Sequence, residues 1–126
     1  MLRKHIAKKQ IRIPLSIEEN TVLTNEVLRR RRIGLYNTDR KGVPALINEF
    51  IEKQVIEMQE EMDNNNAIVL TIDRPVITEE NYTACVYMNI DAYENLITLA
   101  DYVGYSAIRL AKYMTLKELS KLPKGE

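Results

Sequence analysis

The stretch Lys9-Gln10-Ile11-Arg12-Ile13-Pro14-Leu15-Ser16 decides how the rest of the chain is read. Successive side chains of a strand leave from opposite faces. Ile11, Ile13 and Leu15 therefore share one side, and Gln10, Arg12 and Pro14 share the other. One side is wholly apolar and the other carries hydrogen-bonding groups, which predicts a strand with one buried face. Pro14 has no N–H, so the strand is an edge or places Pro14 where no ladder bond is needed. Ser16 then stands as the N-cap of a helix. Glu18 and Glu19 fall in its first turn, where carboxylates favour the positive end of the helix dipole.

Outward from this stretch, the helix runs through Val22, Leu23, Val27 and Leu28, closes on Arg29-Arg30-Arg31-Arg32 and stops at Gly34. A loop from Leu35 to Gly42, rich in Asn, Thr, Asp and Gly, leads to Pro44, which suits the first turn of a second helix. Val43, Leu46, Ile47, Phe50, Ile51, Val55, Met58 and Met62 recur there at helical spacing. Asp63-Asn64-Asn65-Asn66 breaks the pattern, and Ala67 to Asp73 offers a further strand with Ile68, Leu70 and Ile72 on one side.

Then the opening pattern returns. Ala84, Val86, Met88 and Ile90 alternate with Cys85, Tyr87 and Asn89, and Asp91 reads as an N-cap. Tyr93, Leu96, Ile97, Ala100 and Val103 mark a helix ended by Gly104. Ser106 caps a last helix carrying Ala107, Leu110, Ala111, Met114 and Leu119, before a frayed tail from Pro123. Strand, capped helix, glycine turn and helix thus occur twice. The division is a first unit over 1–62 with a basic N-terminal arm, a linker over 63–82 with the extra strand, and a second unit over 83–126. Units of about 45 to 55 residues bury little alone, and a lone strand is unstable. Each unit therefore needs the other, or a second chain.

Hydrophobic residues make up 45% of the 126 and charged residues 29%, a globular composition. No apolar run approaches the roughly 20 residues of a membrane span, and the basic N-terminus has no apolar stretch of a signal peptide behind it. The single cysteine, Cys85, allows no internal disulfide and points to the cytoplasm. Net charge is zero but unevenly spread. Residues 1–62 hold 12 Lys+Arg against 9 Asp+Glu, residues 63–126 hold 6 against 9, and residues 1–41 alone hold 11 against 4. Such a local excess suits a polyanion, whereas the plainer reading is a solvated basic face.

The repeated pattern resembles the ribbon-helix-helix family of DNA-binding proteins, to which the Arc and MetJ repressors belong. In the second half the resemblance rests on Val86-Tyr87-Met88-Asn89-Ile90-Asp91 and on Val103-Gly104-Tyr105-Ser106, which is similar to the family's Gly-x-Ser turn. In the first half it rests on Lys9 to Ser16, with a longer turn from Ile33 to Gly42 than the family's usual connection. The resemblance implies a mainly α fold with a short antiparallel β-ribbon, a tandem pseudo-dimer in one chain, whose outward strand residues enter the major groove of double-stranded DNA. Pairing within the chain is the first expectation, giving a monomer, and pairing between two chains, a homodimer, is the alternative. It further implies base reading by Gln10 and Arg12, with Lys8 or Pro14 at the ends, and by Cys85, Tyr87 and Asn89 in the second unit. Phosphate contacts would come from the N-terminus of each second helix, at Arg40 and Lys41 and at Ser106, with Lys9 belonging to the basic arm. Arg suits guanine and Gln or Asn suits adenine, while Cys85 offers little. Unlike strands predict a non-palindromic site. A conjugation regulator with two such units in one chain has a similar plan.

Other residues have plainer readings. Cations favour a helix C-terminus, and Arg29 to Arg32 point in different directions, so they cannot all face one duplex. Arg3, Lys4, Lys8 and Lys9 form an arm suited to a groove or to phosphates. His5 has no convergent partners, Cys85 reads as a small buried hydrophobe or an exposed thiol, with core packing the commoner fate, and no cysteine–histidine spacing suits zinc. Tyr93, Tyr102, Tyr105 and Tyr113 are expected at a helix interface. Asp91 and Asp101 read as a cap and a solvated residue. No nucleophile–base pair or phosphate loop is present, so neither an enzyme nor a cofactor or metal is expected. Two functions remain. The first is a DNA-binding regulator, as a repressor or a plasmid conjugation (relaxosome) accessory. The second is a protein-binding module, antitoxin-like or a phage-encoded inhibitor, that meets its partner through the acidic second half.

Overall fold

The computed structural model describes residues 8–35, 42–64 and 82–122. Strand β1 (Lys8–Leu15) leads into helix α1 (Ile17–Arg32), and helix α2 (Val43–Asp63) completes the first half. Strand β2 (Tyr82–Asn89), helix α3 (Ile90–Val103) and helix α4 (Ala107–Ser120) repeat that order. The result is a mainly helical fold with one two-stranded antiparallel sheet. β2 begins at Tyr82, one residue before the expected second unit. The Ala67–Asp73 strand, the N-terminal arm before Lys8 and the end of the tail lie outside the described residues.

All eight residues of each strand pair, from Lys8 opposite Asn89 to Leu15 opposite Tyr82. Alternation then sets the two faces. Ile11, Ile13 and Leu15 are buried beside Ala84, Val86 and Met88, and helices cover that side. Both strands are edges, so Pro14 does not interrupt the fold.

The halves interlock. α2 lies chiefly against β2, and α4 reaches β1, so each second helix supports the strand of the other half. α2 also packs on α3 and α4. One cluster accordingly holds Ile13, Leu23, Ile47 and Ile51 from the first half together with Val86, Leu96, Leu110 and Met114 from the second. Neither half has a core of its own, which is what two units this short require.

The helix ends follow local chemistry, with one exception. Ser16 Oγ accepts from the Glu19 N–H at 3.1 Å while Glu19 Oε1 accepts from the Ser16 N–H at 2.8 Å, a complete capping box. Gly34 and Gly104 adopt φ of 78° and 82°, the left-handed turn that ends α1 and α3. The exception is Asp91. The cap of α3 is Asn89, which makes no side-chain capping bond, and Ile90 is already helical. Asp91 sits within the first turn, where its charge still meets the helix dipole.

On α1 the buried positions are Leu23, Glu26 and Val27, while Val22 and Leu28 are exposed. Glu26 can be buried because Arg29 and Arg30 both bond its carboxylate, each at 2.7 Å. Tyr93 and Tyr113 pack against the core as expected, but Tyr102 is exposed. No helix among the described residues is long and apolar enough to cross a membrane.

Candidate nucleic-acid interface

The face of the ribbon away from the helices consists of four cross-strand rows: Lys8 with Asn89, Gln10 with Tyr87, Arg12 with Cys85, and Pro14 with Thr83. Lys8, Gln10, Arg12, Thr83, Tyr87 and Asn89 are exposed, whereas Cys85 and Pro14 are half-buried. Three cations and no acid lie on the two strands. Glu18, Glu19 and Asp91 sit in the first turns of α1 and α3 instead, and Glu19 is already engaged by Ser16 and, at 3.4 Å, by Lys112.

One side-chain bond ties the strands together on this face: Gln10 Nε2 donates to Tyr87 Oη at 3.1 Å. Arg12 faces Cys85 across the ladder and is itself exposed. Asn89 makes no side-chain bond to the α3 terminus, so its amide is not committed to capping.

The sequence candidates divide on this geometry. Gln10, Arg12, Lys8, Tyr87 and Asn89 come together on one surface. Lys9 is exposed but shares the parity of Ile11 and Ile13, so it leaves the ribbon on the helix side and is not part of the outer face. Thr83 belongs to the face and was not among the candidates. Its signal is parity, since it stands two residues before Cys85. Arg40 and Lys41 lie outside the described residues.

Ser106 caps α4, its Oγ accepting from the Arg109 N–H at 3.2 Å. Gly42 occupies the matching position on α2, without a side chain to cap it and with proline in the first turn. Neither α2 nor α4 has an acid in its first turn, in contrast to α1 and α3. The first turns of the two second helices thus carry no carboxylate of their own.

The arginine run at the end of α1 is largely structural. Arg29 and Arg30 clamp Glu26, and Arg30 also reaches Glu49 at 3.0 Å and stacks 5.5 Å over the Phe50 ring. The hydrogen bond from Arg29 holds the Glu26 carboxyl below its ordinary range, against the opposing effect of burial and with help from Arg30. Arg32, at the end of the run, is exposed.

Among the described residues no group of three or more His, Cys, Asp or Glu is placed to hold a metal ion. His5 lies outside them. Comparison with family models, with curated proteins and with solved structures finds no match.

Proposed function

We propose that this chain is a tandem ribbon-helix-helix pseudo-dimer that lays the outer face of its ribbon in the major groove of double-stranded DNA. The observation that carries the reading is the ribbon itself: exposed Lys8, Gln10 and Arg12 on strands free of acid, backed by a core shared by both halves. The major groove admits a two-stranded β-ribbon, and Arg and Gln are the side chains suited to guanine and adenine edges there. Phosphates on either side would meet the positive ends of α2 and α4, where Ser106 and the backbone N–H groups donate. Repression by occupying a promoter, or an accessory role at a plasmid transfer origin, would use the same contact. The reading places the protein in the cytoplasm and assigns it no catalysis and no cofactor.

Binding of labelled random-sequence duplex, followed by fluorescence anisotropy across a salt series, tests the reading. Affinity should fall steeply with salt as phosphate contacts release counterions. On a preferred sequence, Arg12→Ala should cost about 1–3 kcal/mol. Salt-indifferent binding, or an Arg12→Ala variant equal to wild type, removes the ribbon from the mechanism.

One observation favours a second reading, a protein-binding module of the antitoxin or phage-inhibitor kind. α3 exposes Asp91, Glu94 and Asp101 and contains no lysine or arginine, an acidic surface suited to a basic protein partner. Charge reversal at Glu94 and Asp101 that leaves DNA binding intact but abolishes capture of such a partner would establish it.

A further inference from the structure

The four rows of the outer face are unequal. At one end stand Lys8, Asn89, Gln10 and Tyr87, all exposed and all able to hydrogen-bond. At the other end stand Pro14, which has no donor in its side chain or backbone, and Thr83 with a single hydroxyl. Arg12 and Cys85 lie between them, and a thiol is a weak hydrogen-bonding group.

At the better-equipped end, Gln10 is not a loose side chain. Its Nε2 donates to Tyr87 Oη at 3.1 Å, and the two residues are direct partners in the strand register. A glutamine amide has two N–H groups and one carbonyl oxygen. Giving one N–H to the phenol leaves one N–H and Oε1, the pair that matches adenine N7 and N6. The bond therefore orients the amide without using up its reading capacity. It also removes rotamer freedom that Gln10 would otherwise lose on meeting a base. Tyr87 can do this because its ring has only two side-chain torsions and its backbone is held in the ladder.

We propose that Tyr87 is a positioning residue for Gln10, so that the ribbon reads sequence at its Lys8–Asn89 end and follows only DNA shape at its Pro14–Thr83 end. This rests on the DNA reading above and adds to it which half of the site is stringent and why.

The test uses the full chain and a pool of random-sequence duplexes, with bound molecules sequenced for wild type, Tyr87→Phe, Gln10→Ala and Thr83→Ala. Wild type should enrich a site with one sharply defined half. Tyr87→Phe and Gln10→Ala should lose preference at the same base pair, about three- to tenfold for the phenylalanine variant, the worth of one hydrogen bond. Thr83→Ala should leave the enriched site unchanged. In the free protein, Tyr87→Phe should also shift the Gln10 side-chain amide resonances, a readout that needs no DNA. A Tyr87→Phe site identical to wild type, or unmoved Gln10 resonances, overturns the proposal while leaving DNA binding standing. A wild-type pool with no enrichment overturns the DNA reading and the proposal with it.

Discussion

Gln54 Nε2 donates to Glu118 Oε2 at 2.7 Å, and each residue lies twelve positions after the cap of its helix, Gly42 for α2 and Ser106 for α4. Equivalent places in the two halves therefore meet, but one carries an amide and the other a carboxylate. Gln54 is wholly buried and Glu118 nearly so, with Lys53 and Lys121 closing on the carboxylate at 3.0 and 2.8 Å. A second half paired with its own copy would set Glu118 against Glu118 in the same place. The unlike pair thus favours pairing of the two halves with each other.

Gln54→Glu should reproduce that clash within one chain. We expect a loss of about 2–4 kcal/mol in urea unfolding, since a buried charge loses a partner and gains a like neighbour. Adding Glu118→Gln should restore most of it, because the exchange rebuilds one amide–carboxylate pair. A double-mutant cycle with no coupling would show that the contact contributes nothing.

Acid should weaken the fold through two carboxylates. Burial alone would raise the Glu118 pKa, but hydrogen bonds from Lys121, Lys53 and Gln54 outweigh it and hold the group below its ordinary range. Glu26 is lowered too, first by its bond from Arg29. A folded pKa below the unfolded value contributes stability that is present above the unfolded pKa, about 4.5, and is lost as pH falls through the folded one. Urea midpoints should hold from pH 7 to about 5 and then decline. Glu118→Gln should flatten that decline, and an unchanged slope would show that Glu118 is not responsible.

The two first-helix caps should behave differently. Ser16→Ala breaks a capping box and should cost about 0.5–2 kcal/mol of stability. Asn89→Ala removes no capping bond and should leave thermal unfolding nearly unchanged while lowering DNA affinity, if the Lys8–Asn89 end meets a base. A large stability loss at Asn89 would contradict the assignment.

Because the halves share one core, they should unfold together. Apart from Tyr36, outside the described residues, every tyrosine lies between Tyr82 and Tyr113, and the chain has no tryptophan. Tyrosine fluorescence thus reports mainly the second half. Ile13→Ala, a cavity under β1, should cost about 2–5 kcal/mol and shift the tyrosine transition as far as the helical circular dichroism. Separated transitions would mean two independent units.

Much of this architecture is legible in the sequence because its signals are local. Alternation at Ile11, Ile13 and Leu15 defines a strand whatever lies beneath it, and Ser16, Gly34, Gly104 and Ser106 mark helix ends through their own backbone chemistry. What escapes is long-range. Gln54 and Glu118 carry no local signal of their pairing, since the two lie 64 residues apart. Glu26 is buried although it is charged, because two arginines neutralise it. Asp91 reads as the cap because Ile90 continues the strand alternation, yet Ile90 is equally at home as a first helical residue. On the outer face, the exposed side chains were legible from parity, but the Gln10–Tyr87 row depends on register, which neither strand specifies alone.

The most direct test of the ribbon's role is amide chemical-shift mapping of the labelled full chain as DNA duplex is added. The account predicts the largest perturbations at Lys8, Gln10, Arg12, Tyr87 and Asn89 and at the first turns of α2 and α4, with the outer faces of α1 and α3 unmoved. Perturbations confined to α1 or α3, or none at any duplex concentration, would contradict it.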